Sequence, residues 1–187
     1  LNSNSQVVLA GPTVEIARAS EALSEKGFKV TVLPVSAAFH TPLVSHASAP
    51  FAEAVAPTTF HTSDVVIFSN TTGEPYPDDP EVVRTLLSNH ILNPVLFKRQ
   101  IEAIYEAGGR IFIEFGPRRI TTSLVEDILA DKPYVAVALN PSRSKSSDRQ
   151  FREAIVQLRV AGLNLDNVDP YERVVLTNAV GSDRRGA

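Results

Sequence analysis

Five short apolar runs, each closed a few residues later by glycine or proline, constrain this chain more than any other feature. They lie at residues 6–10 before Gly11-Pro12, 28–32 before Pro34, 65–68 before Gly73, 111–115 before Gly116-Pro117, and 134–139 before Pro141. Runs of this length, rich in Val, Ile and Phe and stopped by turn residues, read as strands. Between them apolar residues recur at helical spacing. Helices are expected over residues 13–26, 43–56, 81–90 and 94–107, and around Ile120, Leu124 and Ile128, with a last one carrying Phe151, Ile155, Leu158 and Val160. Gly27 and the Gly108-Gly109 pair suit helix ends, and Pro94 suits a first helical turn. Strands alternating with helices predict an α/β fold with a largely parallel sheet. The tail after about residue 177 lacks periodicity and reads as linker.

Composition narrows the function. The 187 residues include no Cys, Met or Trp. Disulfides, thiolate zinc sites and a cysteine nucleophile are therefore absent. The formal charge is −3, from 18 basic and 21 acidic residues, and gives no polycationic footprint for nucleic acid. No apolar run approaches the roughly 20 residues that span a bilayer. Nucleic-acid and membrane partners are not expected, and a chain without disulfides fits the cytoplasm. The missing initiator Met suggests a piece of a longer polypeptide.

Chemistry-bearing residues are few. His40 follows a strand and precedes Pro42, a strand end where open α/β sheets tend to place reactive groups. His46 and His61 stand in polar stretches with no such context. No two histidines fall at helical i, i+4 spacing beside a carboxylate, so no metal site is expected. Gly-x-Ser-x-Gly occurs nowhere, nor does a phosphate-binding glycine loop. Arg143, Lys145, Arg149 and Arg152 suit a solvated loop and helix start, or else an acidic partner.

Several blocks then resemble malonyl-CoA:acyl-carrier-protein acyltransferases. Asn2-Ser3-Asn4-Ser5-Gln6-Val7-Val8-Leu9-Ala10-Gly11 is similar to their Asn-Ser-Pro-x-Gln-x-Val-x-Ser/Ala-Gly segment. Val35-Ser36-Ala37-Ala38-Phe39-His40-Thr41-Pro42-Leu43 resembles their Val-Ser-x-Ala-Phe-His-Ser/Thr-Pro-Leu segment. Ser69-Asn70-Thr71-Thr72-Gly73, Pro94-Val95-Leu96-Phe97 and Phe112-Ile113-Glu114-Phe115-Gly116-Pro117 follow in the family's order. The stretch from Leu139-Asn140-Pro141 to Gln150, with Asp169-Pro170-Tyr171, is similar to acyltransferase domains of polyunsaturated fatty acid synthases. Iterative polyketide synthases, the enediyne type included, are near alternatives.

The resemblance implies the C-terminal part of an acyltransferase domain. Residues 1–62 would form a ferredoxin-like small subdomain carrying the histidine. Residues 63–162 would form the later portion of a hydrolase-like parallel-sheet core, and 163–187 a linker or tail. His40 matches the histidine of a serine–histidine dyad that moves malonyl from malonyl-CoA to the phosphopantetheine thiol of an acyl carrier protein. A backbone carbonyl in the His90 to Asn93 stretch would orient it. Phe39 matches a residue whose bulk disfavours branched methylmalonyl units. Asn4 stands where the family has proline, and Arg118-Arg119 where it has small residues. The nucleophile segment, the arginine for the malonyl carboxylate and the oxyanion loop are expected outside this chain, which alone would be inactive and bind no cofactor. Expected partners are the carrier protein, the N-terminal part of the same domain and a neighbouring ketosynthase, within a multidomain synthase. The alternative is a non-catalytic module that keeps the acyltransferase shape and docks a carrier protein. A third reading is an unrelated α/β hydrolase fragment.

Overall fold

The computed structural model describes residues 1–165. It is a mixed α/β structure with a small parallel sheet. In chain order the regular elements are α1 (Thr13–Glu25), α2 (Ser48–Val55), α3 (Pro80–Asn89), α4 (Phe97–Glu106), β1 (Ile111–Pro117), α5 (Ile120–Ile128), β2 (Val135–Asn140) and α6 (Ser147–Val160). Two 3-10 segments, Pro42–Ala47 and His90–Leu92, complete the set. The described residues divide into one unit of Leu1–Phe112 with Ile120–Ala136, and a second of Ile113–Arg119 with the residues from Val137 onward. Of the expected tail, residues 166–187 lie outside the described residues, as does Asp169-Pro170-Tyr171.

In the first unit, helix ends follow local chemistry. Gly27 turns left-handed after α1 (φ 84°), and the N–H of Phe28 returns to the carbonyl of Leu23, closing orphan carbonyls as a Schellman end does. Asp79 caps α3 by accepting from the N–H of Glu81 at 2.9 Å, with Pro80 at the first turn. The core gathers Ile101 and Tyr105 of α4 with Val125, Ile128 and the adjoining, fully buried Leu129 of α5, beside Phe97, Phe112 and Tyr134. Arg84 of α3 donates to the carbonyls of Val55 and Ala56 (3.1 and 2.7 Å) at the C-terminal end of α2, where a cation meets the negative end of the helix. Such charge-assisted bonds are each worth about 1.5–3 kcal/mol.

The opening segment is tied to α5. Asn4, in place of the family's proline, donates through Nδ2 to the carbonyl of Asp127 at 2.6 Å. Ser5 donates its N–H and its hydroxyl to the Asp127 carboxylate at 2.8 and 2.9 Å. Hydrogen bonds from Ser3 first, and then from Ser5, hold the Asp127 carboxyl below the usual carboxylate range.

Three of the five apolar runs differ from expectation. Among the described residues ladder pairing joins only β1 and β2, which run parallel: Val135 donates its N–H to the carbonyl of Arg110, and Arg118 donates its N–H to the carbonyl of Asn140. Residues 6–10, 28–32 and 65–68 form no strand among the described residues, apart from a single antiparallel bridge of Phe68 with Pro75. Their side chains stay open to solvent, Val66 at 71%. A short apolar run is compatible with a strand, but a strand also needs a neighbour to complete its hydrogen bonds.

Two helices also depart from expectation. The segment at 43–56 breaks into a 3-10 turn and α2, with Val44 outside helical geometry within the turn (φ −98°, ψ 20°). The helix expected from Pro94 starts at Phe97, after Leu96, which lies outside helical geometry (φ −99°, ψ 46°) and gives its N–H to the carbonyl of Asn70 at 2.7 Å.

In the second unit, Val137, Ala154, Ile155 and Leu158 are buried, whereas Val160, expected on the apolar face of α6, is 84% exposed at its end. Gln150, 2% exposed, accepts from the N–H of Ser142 at 2.6 Å and offers Nε2 to Asn140, Ser142 and Lys145. One buried amide thus folds the polar loop onto α6. Arg118 sits at φ 75°, a left-handed residue held by its N–H to the carbonyl of Asn140 at 2.7 Å. Among the described residues no helix is long and apolar enough to cross a membrane.

Candidate active site

Pro42 sets the site's local geometry. A residue before proline is pushed to extended backbone, and Thr41 lies at φ −138°, ψ 162°. From there its hydroxyl donates to the carbonyl of Ala38 at 2.7 Å and accepts from the N–H of Leu43 at 3.2 Å, capping the 3-10 turn that follows. The turn closes over buried Val44. His40, one residue earlier, is forced into the left-handed region with φ 61°. For a residue with a Cβ that costs about 1–2 kcal/mol, so something must hold it.

The His90–Leu92 turn holds it twice. The backbone N–H of His40 donates to the carbonyl of Ile91 at 2.9 Å, and the ring Nδ1 stands 3.1 Å from the carbonyl oxygen of His90. A carbonyl only accepts, so Nδ1 carries the proton and the neutral ring keeps its lone pair on Nε2. Nε2 has no partner among the described residues. The His40 ring, anchored on one nitrogen and open on the other, is arranged to take a proton from a hydroxyl or thiol. Asn93 meets the same oxygen from the other side through its N–H at 3.2 Å, and its side chain donates to the carbonyl of Asn89 at 2.7 Å. Phe39, beside His40, is 47% exposed.

The His90 side chain adds a contact that no motif displays. Its ring lies 4.8 Å from that of His40, centroid to centroid, tilted by 56°. Its Nδ1 is 2.6 Å from the hydroxyl of Thr71. Burial, and secondly the neighbouring His40, lower the His90 pKa from its ordinary 6.5.

Thr71 sits on a turn built to be rigid. Its N–H donates to the hydroxyl of Ser69 at 3.2 Å, and Ser69 is 1% exposed. Gly73 donates to the Ser69 carbonyl and adopts φ 75°, where a Cβ would come within 2.7 Å of Arg99 Cγ. Arg99 of α4 is itself paired with Glu74 at 2.6 Å. The Ser69-Asn70-Thr71-Thr72-Gly73 block is visible as a motif, but its contact with His90 is not. His46 and His61 are exposed.

The chain as a whole is similar to known proteins. The family model of the acyl transferase domain matches residues 1–165. One chain of the polyunsaturated fatty acid synthase of Thraustochytrium sp. is 40% identical over 174 residues, which is 91% of this chain and 6% of that polypeptide. The acyltransferase domain from the second module of the salinomycin polyketide synthase matches with a TM-score of 0.80 and 25% identity, over 89% of this chain and 38% of that one. A malonyl-transacylase structure, solved in complex with its type II PKS acyl-carrier protein, matches at a TM-score of 0.71 and 27% identity, over 83% of this chain and 48% of its own. The chain thus spans less than half of each structure and a small part of the synthase polypeptide.

Proposed function

The chain belongs to the acyl transferase domain family, and from that premise we propose that it supplies the general base for loading malonyl units onto an acyl carrier protein. The observation that carries the reading is the His40 imidazole, held at Nδ1 by the His90 carbonyl at 3.1 Å with Nε2 unengaged. The serine of the dyad, the guanidinium for the malonyl carboxylate and the oxyanion donors come from acyltransferase sequence outside these 187 residues, which hold no Gly-x-Ser-x-Gly. Residues 1–62 are the ferredoxin-like subdomain, 63–162 the later part of the hydrolase-like core and 163–187 a linker. The likeness to acyltransferase structures supports an acyltransferase fold for the chain.

The chemistry runs in two balanced halves. Nε2 of His40 takes the serine proton as the serine oxygen bonds the malonyl carbonyl carbon; the carbon–sulfur bond to CoA breaks, and the CoA sulfur leaves with the proton from Nε2. The phosphopantetheine thiol of the carrier then gives its proton to Nε2 and its sulfur takes the malonyl group, while the ester bond breaks and the serine recovers a proton. Phe39 narrows the site toward malonyl over methylmalonyl. The setting is the cytoplasm, in a multidomain synthase with a ketosynthase neighbour. The 40% identity to a polyunsaturated fatty acid synthase chain supports that type of synthase over an iterative polyketide one.

Transfer of radiolabelled malonyl to carrier protein tests the proposal in the complete acyltransferase domain, these residues joined to the nucleophile segment. The unaltered domain labels the carrier and the His40→Ala domain does not. Undiminished labelling by His40→Ala overturns the role of His40. Carrier binding without labelling by either form favours the scaffold reading instead.

A further inference from the structure

The His40 ring leans on the carbonyl of His90, but one hydrogen bond leaves an imidazole free to swing about the bond's axis. What stops the swing is a second contact with the same residue. The His90 ring lies 4.8 Å from the His40 ring at 56°. That ring is not free either, because its Nδ1 is held by the Thr71 hydroxyl at 2.6 Å. Thr71 in turn is tied through its N–H to buried Ser69, and the same turn is fastened to the start of α4 by the bond from Leu96 to Asn70. A chain of contacts thus runs from a buried turn through Thr71 and His90 to His40.

We propose that the His90 side chain is a positioning residue for His40, a ring pinned by Thr71 that fixes the plane of the His40 imidazole. The proposal rests on the reading of His40 as the base. The electrostatics agree with it: partial burial disfavours the charged form of the His90 ring, which lessens any opposition to the positive charge that His40 gains when it takes a proton. Thr71 acts only through His90.

The test measures kcat and KM for malonyl-CoA in the complete acyltransferase domain, per folded active site. The expected result for His90→Ala is a kcat about tenfold lower with KM little changed, the mark of misorientation rather than lost binding. Thr71→Val should lower kcat in the same direction by a smaller factor. The double variant should be no slower than His90→Ala alone, because the two residues act in series. Should His90→Ala not fold, His90→Phe keeps a ring without the Thr71 bond and should match Thr71→Val. A wild-type kcat for His90→Ala (or for His90→Phe in its place), or losses that multiply in the double variant, overturn the proposal. His40→Ala run in parallel separates the two layers. If it is inactive while the His90 and Thr71 variants are unaffected, only the positioning role falls; if it transfers normally, the base reading falls first.

Discussion

Nδ1 of His40 lies 3.1 Å from the carbonyl oxygen of His90, fifty residues along the chain. The same residue's ring sits beside His40 and carries a lowered pKa, caused first by burial and second by His40 itself. In an NMR titration the His90 ring protons should therefore report a pKa below 6.5. Replacing His40 by Ala removes the smaller cause and leaves burial, so the value should rise but remain below normal. The unfolded chain binds this proton more readily, so stability is intact above about 6.5 and declines as pH falls from there through the folded value. A His90 pKa at or above 6.5 would contradict this placement of the ring.

Phe39 flanks His40 and is half exposed toward solvent. Replacing it with Ser should raise the rate of methylmalonyl transfer relative to malonyl by about tenfold, since one methyl group in a pocket discriminates by about 1–3 kcal/mol. Competition between the two CoA esters in the complete domain measures the ratio directly. An unchanged ratio would leave Phe39 with packing alone.

Gly73 joins the Thr71 turn to α4. Its φ of 75°, and the 2.7 Å that would separate an added Cβ from Arg99 Cγ, should make Gly73→Ala destabilising by about 2 kcal/mol. Thermal or denaturant unfolding reads the loss. Adding Arg99→Ala should recover the part due to crowding, but not the part due to the left-handed backbone.

How much of the fold and the site is legible in the sequence depends on how local each feature is. Helix α1 runs over Thr13–Glu25 against an expected 13–26, and α3 over Pro80–Asn89 against 81–90, because their caps and apolar spacing lie within a few residues. The strands are legible only as apolar runs, since pairing depends on a neighbour remote in sequence; among the described residues β1 and β2 meet that condition, and 6–10, 28–32 and 65–68 do not. His40 stands out through the Phe-His-Thr-Pro block, and the resemblance points to the His90 to Asn93 stretch. The bond between Thr71 and His90, and the amide of Gln150 gathering its loop, join side chains whose meeting depends on tertiary packing, and no spacing rule announces them. Asn4 and Arg118 depart from the family's pattern, and each is held in place by a hydrogen bond to a backbone carbonyl.

The central claim is that His40 is the base. The most direct measurement is the single-turnover rate at which malonyl-CoA acylates the complete domain near neutral pH, followed by the mass gained on the protein, for the unaltered sequence and for His40→Ala. A general base contributes about 10²–10⁴-fold, so acylation of the variant should be slower by that factor while the domain remains folded. Acylation at the same rate in both proteins would contradict the account.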